Sequence, residues 1–234
     1  MALIRYGGGI VGMSGSIAGN TFARNRFGSY ARSRTKPVNP RSARQMAART
    51  VIMFLAEAWR ESPMTDTIRT AWQTYADSVS WLNKLGETVT LTGFNMFMRA
   101  NASLLAIGGA IVTAAPTDLG LPPGDPLFAV TGSASTQLLS IVFDPLFEWN
   151  ITDLGWMLVD MATPQNPSRN FCNGPYRNAG GLEGDTATPL TSPQTLTAPF
   201  TLVEGQKIWC RASIIEPDGR VSTKFGAVPF LCSA

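Results

Sequence analysis

Residues 7–12 of this chain, GGGIVG, match the G-x-G-x-x-G pattern of dinucleotide-binding loops, whose glycines let the backbone approach a pyrophosphate. Such a loop also needs a helix that begins inside it and an acidic residue about 20 positions later, which contacts the ribose. Gly15 and Gly19 continue a glycine spacing that disfavours a helix, and the first acidic residue is Glu57. The sequence therefore predicts a flexible glycine-rich segment that binds no cofactor.

Acid–base and metal chemistry is restricted by composition, because the chain contains no histidine. Ser–His and Cys–His catalytic pairs and histidine-containing zinc sites are thereby excluded. Cys172, Cys210 and Cys232 form no C-x-x-C pair, and we predict that they are free, structural thiols. We expect no catalytic residues, no metal site and no enzymatic activity.

Carboxylates and aromatic residues in the second half suggest an alternative that involves carbohydrate. Paired carboxylates can hydrolyse glycosidic bonds, and the candidates are Asp144, Glu148, Asp153, Asp160, Glu183 and Asp185. Trp149, Phe171 and Tyr176 could stack on sugar rings. Loop carboxylates are more often solvated and such aromatics more often pack in cores. For this reason a carbohydrate-binding accessory module that contacts a host-surface glycan is an alternative and not the function we favour.

The basic residues are concentrated at one end of the chain. Residues 1–60 contain ten Lys or Arg and a single acidic residue, whereas the rest contains nine basic and fifteen acidic residues. Basic and aromatic side chains alternate in the candidate contact set Arg24, Arg26, Phe27, Tyr30, Arg32, Arg34 and Lys36. Arginine forks pair with carboxylates of a neighbouring subunit, which is the interpretation we favour. Phosphate contacts and base stacking on nucleic acid are the alternative.

The period-2 pattern of residues 1–38 predicts an extended arm of short strands and turns with little core of its own. Asn39-Pro40 then predicts the start of a helix of about twenty residues, since Asn is a good N-cap and Pro suits the first helical position. Its apolar stripe is widened by Ile52 and Met53, so we expect burial on several sides by other subunits. A second helix from Thr65-Asp66 should form an antiparallel hairpin with it.

A third helix is predicted from about Gly93 to Ile107. Residues 115–126 contain four prolines and indicate a linker, with a boundary near residue 120. Short strand-like runs without a helix follow, and Pro217-Asp218-Gly219-Arg220 predicts a hairpin turn. The predicted class is α+β with two domains, the second an immunoglobulin- or fibronectin-III-like β-sandwich. The predicted division is 1–38 (basic arm), 39–119 (helical docking domain) and 120–234 (sandwich).

Several motifs together resemble one protein family. They are G-x-I-x-G-x-x-F-x-R-N-R-x-G-x-Y-x-R-x-R-T-x-P-V-N-P at residues 15–40, Gln45 with Arg49, the pair of helices with Trp59, Trp72 and Tyr75, and LTGFNMF at residues 91–97. The combination resembles structural proteins of tailed bacteriophages and prophages. It covers about the first 105 residues, and residues 164–177 resemble the second half of the same proteins.

That resemblance implies a virion component present in many copies or in a ring, with no enzyme activity. It implies contacts with copies of itself and with other virion proteins, and capsid, neck and tail positions all remain open. No segment has the roughly 20 apolar residues of a membrane span, and glycines replace the apolar run of a signal peptide. We therefore expect synthesis in the host cytoplasm, a final location in the virion and no membrane partner.

Overall fold

The computed structural model describes residues 2–35, 38–83 and 85–234. Within these residues the fold is mixed α+β, with four helices and fifteen strands in antiparallel sheets. No helix in the described ranges is long and apolar enough to cross a membrane.

The N-terminal strands form a small sheet. Its strands are β1 (Ala2–Ile4), β2 (Gly15–Ile17), β3 (Asn20–Asn25) and β4 (Gly28–Ser33), in the order β1-β4-β3-β2. Asn25 pairs with Gly28, and the Asn25 side chain accepts a hydrogen bond from the Phe27 N–H at 2.9 Å, which closes the turn. The predicted short strands are confirmed, and no residue from 2 to 35 is fully buried. The segment is folded back on itself, however, rather than extended.

Three helices follow: α1 (Ala43–Ala58), α2 (Asp66–Ser78) and α3 (Gly93–Ala106). Thr65 caps α2 as predicted, because its hydroxyl accepts a hydrogen bond from the Ile68 N–H. The predicted start of α1 at Asn39-Pro40 is wrong. Ser42 is the cap, with its hydroxyl bonded to the Gln45 N–H, and Arg41 has a non-helical φ of +50°.

Helix α3 is the centre of the helical layer. It packs against both α1 and α2, so the predicted hairpin of α1 with α2 is wrong. Helix α3 approaches α2 closely at its start, where a Cβ on Gly93 would lie 2.7 Å from the Gln73 backbone nitrogen of α2. Trp59, at the end of α1, stacks against Phe97 of α3 with ring centroids 5.2 Å apart. A hairpin of β5 (Ser80–Leu82) and β6 (Thr88–Thr90) connects α2 to α3.

The second half is mainly β. Its elements are β7 (Ala129–Ser133), β8 (Leu138–Val142), α4 (Glu148–Ile151), β9 (Trp156–Ala162), β10 (Tyr176–Glu183), β11 (Gln194–Thr197), β12 (Lys207–Ile208), β13 (Cys210–Ile215), β14 (Phe225–Gly226) and β15 (Phe230–Leu231). The sheets β10-β9-β13-β14 and β11-β8-β7 share one hydrophobic core, which is compatible with a β-sandwich. The short helix α4 corrects the expectation that this half has no helix.

Strand β9 is buried on both faces. Met157, Val159 and Met161 belong to the core between the sheets, whereas Leu158 packs with the helices. Alternate residues of a strand point to opposite faces, so the helical layer covers the outer face of this sheet. The whole strand is apolar except for Asp160, as expected for a strand covered on both sides.

The proline-rich segment lies against the body rather than free. The Trp72 indole N–H donates to the Thr113 carbonyl at 2.9 Å, and the Ser78 hydroxyl donates to the Leu119 carbonyl at 3.0 Å. Asp118 pairs with Arg220 of the hairpin that follows β13. The predicted boundary near residue 120 falls in this segment, and the division into three domains stays a prediction.

The hairpin at residues 217–220 is confirmed, and Glu216 lies buried at its start. Burial raises the pKa of Glu216 to about 7, with the charge of Glu148 adding to the effect. The folded state therefore keeps this proton to a higher pH than the unfolded chain, whose glutamates titrate near 4.5. Stability from this group is present below about pH 4.5 and is lost as the pH rises to about 7.

Replacing Glu216 by glutamine should remove that loss, because the amide does not titrate. Between pH 4.5 and pH 7 the unfolding free energy of the wild type should fall by about 2–3 kcal/mol relative to that of E216Q. Urea unfolding across this pH range measures the difference. The exposed Glu204→Gln variant is the matched control. A decline in E216Q equal to that of the wild type would contradict the assignment.

Candidate subunit interface

Helix α1 exposes most of its surface to solvent. Along α1, all of which the structure describes, only Leu55 is buried. Met46, Ile52, Met53 and Phe54 are 45%, 53%, 57% and 48% exposed. Large apolar side chains in this density are unfavourable in water and are typical of an interaction surface. The sequence predicts that α1 is buried on several sides. Within a single chain one side of α1 is buried, because α3 covers the side that carries Leu55.

The outward stripe of α1 combines apolar and basic groups. Met46, Arg49 and Met53 recur at i, i+3 and i+7, a spacing that places them on one side of a helix. The Arg49 guanidinium donates to the Asn39 side-chain oxygen at 2.9 Å and remains exposed. On the α3 side an apolar groove of about 330 Å³ is lined by Ala47, Val51 and Ala102, among others. We call Met46, Arg49, Ile52, Met53 and Phe54 the α1 surface.

The N-terminal sheet docks on the β5–β6 hairpin through its β3–β4 turn. Arg26 donates to the Thr90 hydroxyl and to the Leu91 carbonyl, both at 3.4 Å. Phe27 lies beside Trp81 in an apolar groove of about 350 Å³. Arg26 and Phe27 of the candidate set thus make contacts within the chain, a use that the sequence did not indicate.

An ion pair between Arg5, which follows β1, and Glu87, in the loop between β5 and β6, also joins the N-terminal sheet to the β5–β6 hairpin. Asn83 donates to the Glu87 carboxylate at 2.9 Å, and this hydrogen bond, together with that from Arg5, lowers the pKa of Glu87. The Asn83 amide also donates to the Phe27 carbonyl at 3.5 Å. Polar contacts therefore orient the sheet on the hairpin without any fully buried group.

The remaining candidate residues lie on both faces of the sheet. Tyr30 and Arg32 are on the face that carries Ala23, because Ala23 pairs with Tyr30 in the register of β3 and β4. Arg24 is on the opposite face. Arg24, Arg26, Arg32 and Arg34 are exposed, and Phe27 and Tyr30 are half-buried. The structure thus does not gather them into one site, and Lys36 lies outside the described residues.

The glycine-rich segment 7–12 lies between β1 and β2, and no helix begins inside it. The three cysteines are free, as predicted. Burial, with a further contribution from Asp160, raises the pKa of the Cys210 thiol to about 12, so that this thiol is unreactive at neutral pH. The predicted structural role of Cys210 is therefore supported by its position in the core.

Most of the candidate carboxylates stabilise local structure. Asp160 accepts from Arg211 at 3.2 Å and from Lys224 at 3.0 Å. Asp153 and Asp185 accept backbone N–H groups of Thr186 and Ala187, each at 2.7 Å. Asp144 does the same for the N–H of Leu146. Glu148 and Glu183 are exposed.

One of the three aromatic residues predicted to stack on sugar rings cannot do so. Trp149 is fully buried in the core between the sheets, where its ring centroid is 5.1 Å from that of Phe143. Tyr176 is half-buried, and the Arg211 guanidinium lies 4.0 Å from its ring centroid, so one ring face is occupied. Phe171 is 63% exposed. Trp149 has no free ring face to offer a sugar.

A second surface, which the sequence did not indicate, is acidic and apolar. It is formed where α4 and its following loop meet residues 183–188, and the backbone N–H of Asp185 bonds to the Asn150 carbonyl at 3.2 Å. We call it the α4 corner, and its exposed residues are Leu146, Glu148, Ile151, Asp153, Leu154, Glu183 and Asp185. Leu146 and Leu154 are 79% and 57% exposed. Residues 100–168 and 178–206 contain no Lys or Arg, a signal that could have located this surface.

Comparisons with protein-family models and with curated proteins gave no match to this chain.

Proposed function

We propose that this protein is a non-enzymatic structural component of a tailed-phage or prophage particle, made in the host cytoplasm and held in the virion by contacts with neighbouring subunits. The observation that carries the proposal is the α1 surface, with three consecutive exposed apolar residues from Ile52 to Phe54. The motif resemblance at residues 15–40 and 91–97 supplies the class of particle.

The energetics of α1 support an assembly role. Covering a large apolar side chain contributes about 1.5–3 kcal/mol when the burial is complete. Four such side chains about half exposed on one helix, Met46, Ile52, Met53 and Phe54, can therefore supply several kcal/mol to a subunit contact. An isolated chain gains nothing from this surface, whereas an assembled one does.

The second half would then be displayed as an accessory module. We propose that its two larger sheets form an immunoglobulin- or fibronectin-III-like sandwich that acts as a separate domain. The supporting observation is the shared core between the sheets, which contains Val130, Ile141, Val159 and Ile214. Limited proteolysis near residue 120, followed by refolding of residues 120–234 alone, tests this division.

Deletion of residues 2–38 tests the assembly role of the N-terminal sheet. Because residues 2–35 include no fully buried residue, the remainder should stay folded and soluble. Its incorporation into density-gradient-purified particles from the producing host should fall by about tenfold or more. Quantitative immunoblotting of the particles measures this. Normal incorporation of the deletion variant would contradict the role of this sheet.

Nucleic-acid contact is the second candidate, favoured by the exposed guanidinium groups of Arg24, Arg32 and Arg34. The triple alanine variant of these residues separates the two functions, and Arg26→Ala is its matched control because Arg26 contacts the β5–β6 hairpin. A DNA affinity that falls steeply with salt and is lost only in the triple variant would favour the nucleic-acid function. Reduced assembly without DNA affinity in the wild type would favour subunit contact.

A further inference from the structure

The α1 surface and the α4 corner are complementary in charge and in polarity. Arg44 and Arg49 are the charged residues of α1 before Glu57 near its end, and no acidic residue precedes Glu57 in the chain. The α4 corner has four exposed carboxylates and lies in sequence runs without a basic residue. Both surfaces also present exposed apolar side chains, Met46 and Met53 on one and Leu146 and Leu154 on the other.

The α4 corner offers several carboxylates to a guanidinium group. An open depression of about 460 Å³ is lined by Asp153, Leu154, Glu183 and Asp185. Hydrogen bonds from Thr188 and from backbone N–H groups lower the pKa of Asp185, which keeps this carboxylate charged. On the α1 surface, Arg49 lies one helical turn from each of two exposed methionines, Met46 and Met53, and its guanidinium contacts the Met46 sulfur at 4.0 Å.

We infer that the partner of α1 is a second copy of this chain, in which the α4 corner receives Arg49 while Met46 and Met53 cover Leu146 and Leu154. This inference rests on the proposed function and specifies its subunit contact. The two surfaces are different patches of the molecule, so the contact is heterologous. Repetition of a heterologous contact generates a ring when the rotation closes and a helical array when it does not.

Charge reversal at each surface tests this contact. Arg49→Glu and Glu183→Lys are suitable because both side chains are exposed; Arg49→Glu also removes the hydrogen bond of Arg49 to Asn39. Each variant alone should weaken self-association by about 100-fold in sedimentation-velocity experiments, because like charges then face each other. The combined R49E/E183K variant should restore association. Glu204→Lys, an exposed reversal outside the corner, should associate like the wild type.

Mixing the two single variants gives a sharper result. R49E retains the native α4 corner and E183K the native α1 surface, and the two reversed side chains also carry opposite charges, so an equimolar mixture should co-assemble in alternation to the size that the wild type reaches. If E183K associates like the wild type, α1 pairs with another surface, and the inference is overturned. If the combined variant is not restored while circular dichroism shows a native fold, the pairing of these two residues is likewise overturned.

The outcomes also separate this contact from the proposed function. A wild-type chain that stays monomeric at its highest soluble concentration but is present in purified particles would overturn the inference and leave the virion role standing. A chain that follows the charge-swap pattern but is absent from particles would remove the virion role and leave the self-contact. Salt-dependent DNA binding that is lost in R49E and unchanged in E183K, without self-association, would assign α1 to nucleic acid.

Discussion

Replacing Trp72 by alanine is expected to lower the free energy of unfolding by about 3–5 kcal/mol, the range for removing a buried tryptophan. Trp72 is fully buried in α2. Its ring meets Phe97 of α3 edge to face at 5.7 Å and Tyr75 at 6.1 Å. Its indole N–H also donates to the Thr113 carbonyl at 2.9 Å. The variant would therefore lose ring contacts and leave a carbonyl without its partner.

Trp72 also joins the helical layer to the β half. A Cβ built on Gly219, in the hairpin turn after β13, would lie 3.3 Å from the end of the Trp72 ring, so glycine lets the turn pack against this side chain. The loss of Trp72 should therefore loosen the contact between the two halves as well as the helical core. Urea unfolding followed by far-UV circular dichroism measures the effect.

Two variants control this experiment. Trp72→Phe keeps an aromatic ring but loses the hydrogen bond. It should lower the free energy of unfolding by about 1 to 2 kcal/mol, less than Trp72→Ala does. Phe54→Ala removes an aromatic ring that is 48% exposed on α1 and should change the unfolding free energy by less than about 1 kcal/mol. If W72A lowers the free energy of unfolding by less than about 1 kcal/mol, the packing of α2 against α3 is contradicted.

The second large effect is expected from Asn150→Ala, which should lower the free energy of unfolding by about 3 kcal/mol. The Asn150 side chain is fully buried in α4. Its amide donates to the Pro145 carbonyl at 2.8 Å and to the Leu190 carbonyl at 3.0 Å, and its oxygen accepts from the Leu190 N–H at 3.0 Å. Alanine would leave three backbone groups without partners, and each such buried group costs about 1–3 kcal/mol.

Asn150 is also the residue that ties the two segments of the α4 corner together. Its variant should therefore lose self-association at urea concentrations where the rest of the chain is still folded. Asn166→Ala is the matched control, because Asn166 caps an exposed turn through the Ser168 N–H at 3.0 Å. The Asn166→Ala variant should lower the free energy of unfolding by less than about 1 kcal/mol. Equal decreases in the free energy of unfolding for N150A and N166A would show that Asn150 does not hold this corner.

Features with a local cause could be predicted from the sequence. The cap at Thr65, the third helix from Gly93 and the turn at 217–220 depend on side chains within a few residues of each other. The free state of Cys210 and the absence of a helix in the segment 7–12 also followed from spacing. The predicted start of α1 is wrong because Asn39 and Ser42 are both good caps, and the hydrogen bond from the Gln45 N–H to Ser42 and the positive φ of Arg41 identify Ser42 as the cap.

Half of the candidate interface could be predicted in the same way. The widened apolar stripe of α1 is a property of consecutive residues, so its need for partners follows from the order of residues alone. The α4 corner does not follow from that order, because it joins residues 144–155 to residues 183–188, and no local rule relates two such distant segments. The burial of Trp149, which removed it from the sugar-binding hypothesis, depends likewise on strands far away in the chain.

The order of residues was enough to locate the three longer helices, the turn at 217–220, the concentration of basic residues and the excess of apolar residues on α1. The three-dimensional packing was needed to show that α3 lies against both α1 and α2, that the helices cover the outer face of β9, and that α4 and its following loop meet residues 183–188. The difference lies in the distance along the chain over which each interaction acts. Caps, turns and periodicity act within one or two turns of chain, whereas layer packing is decided by which distant apolar surfaces exclude water together.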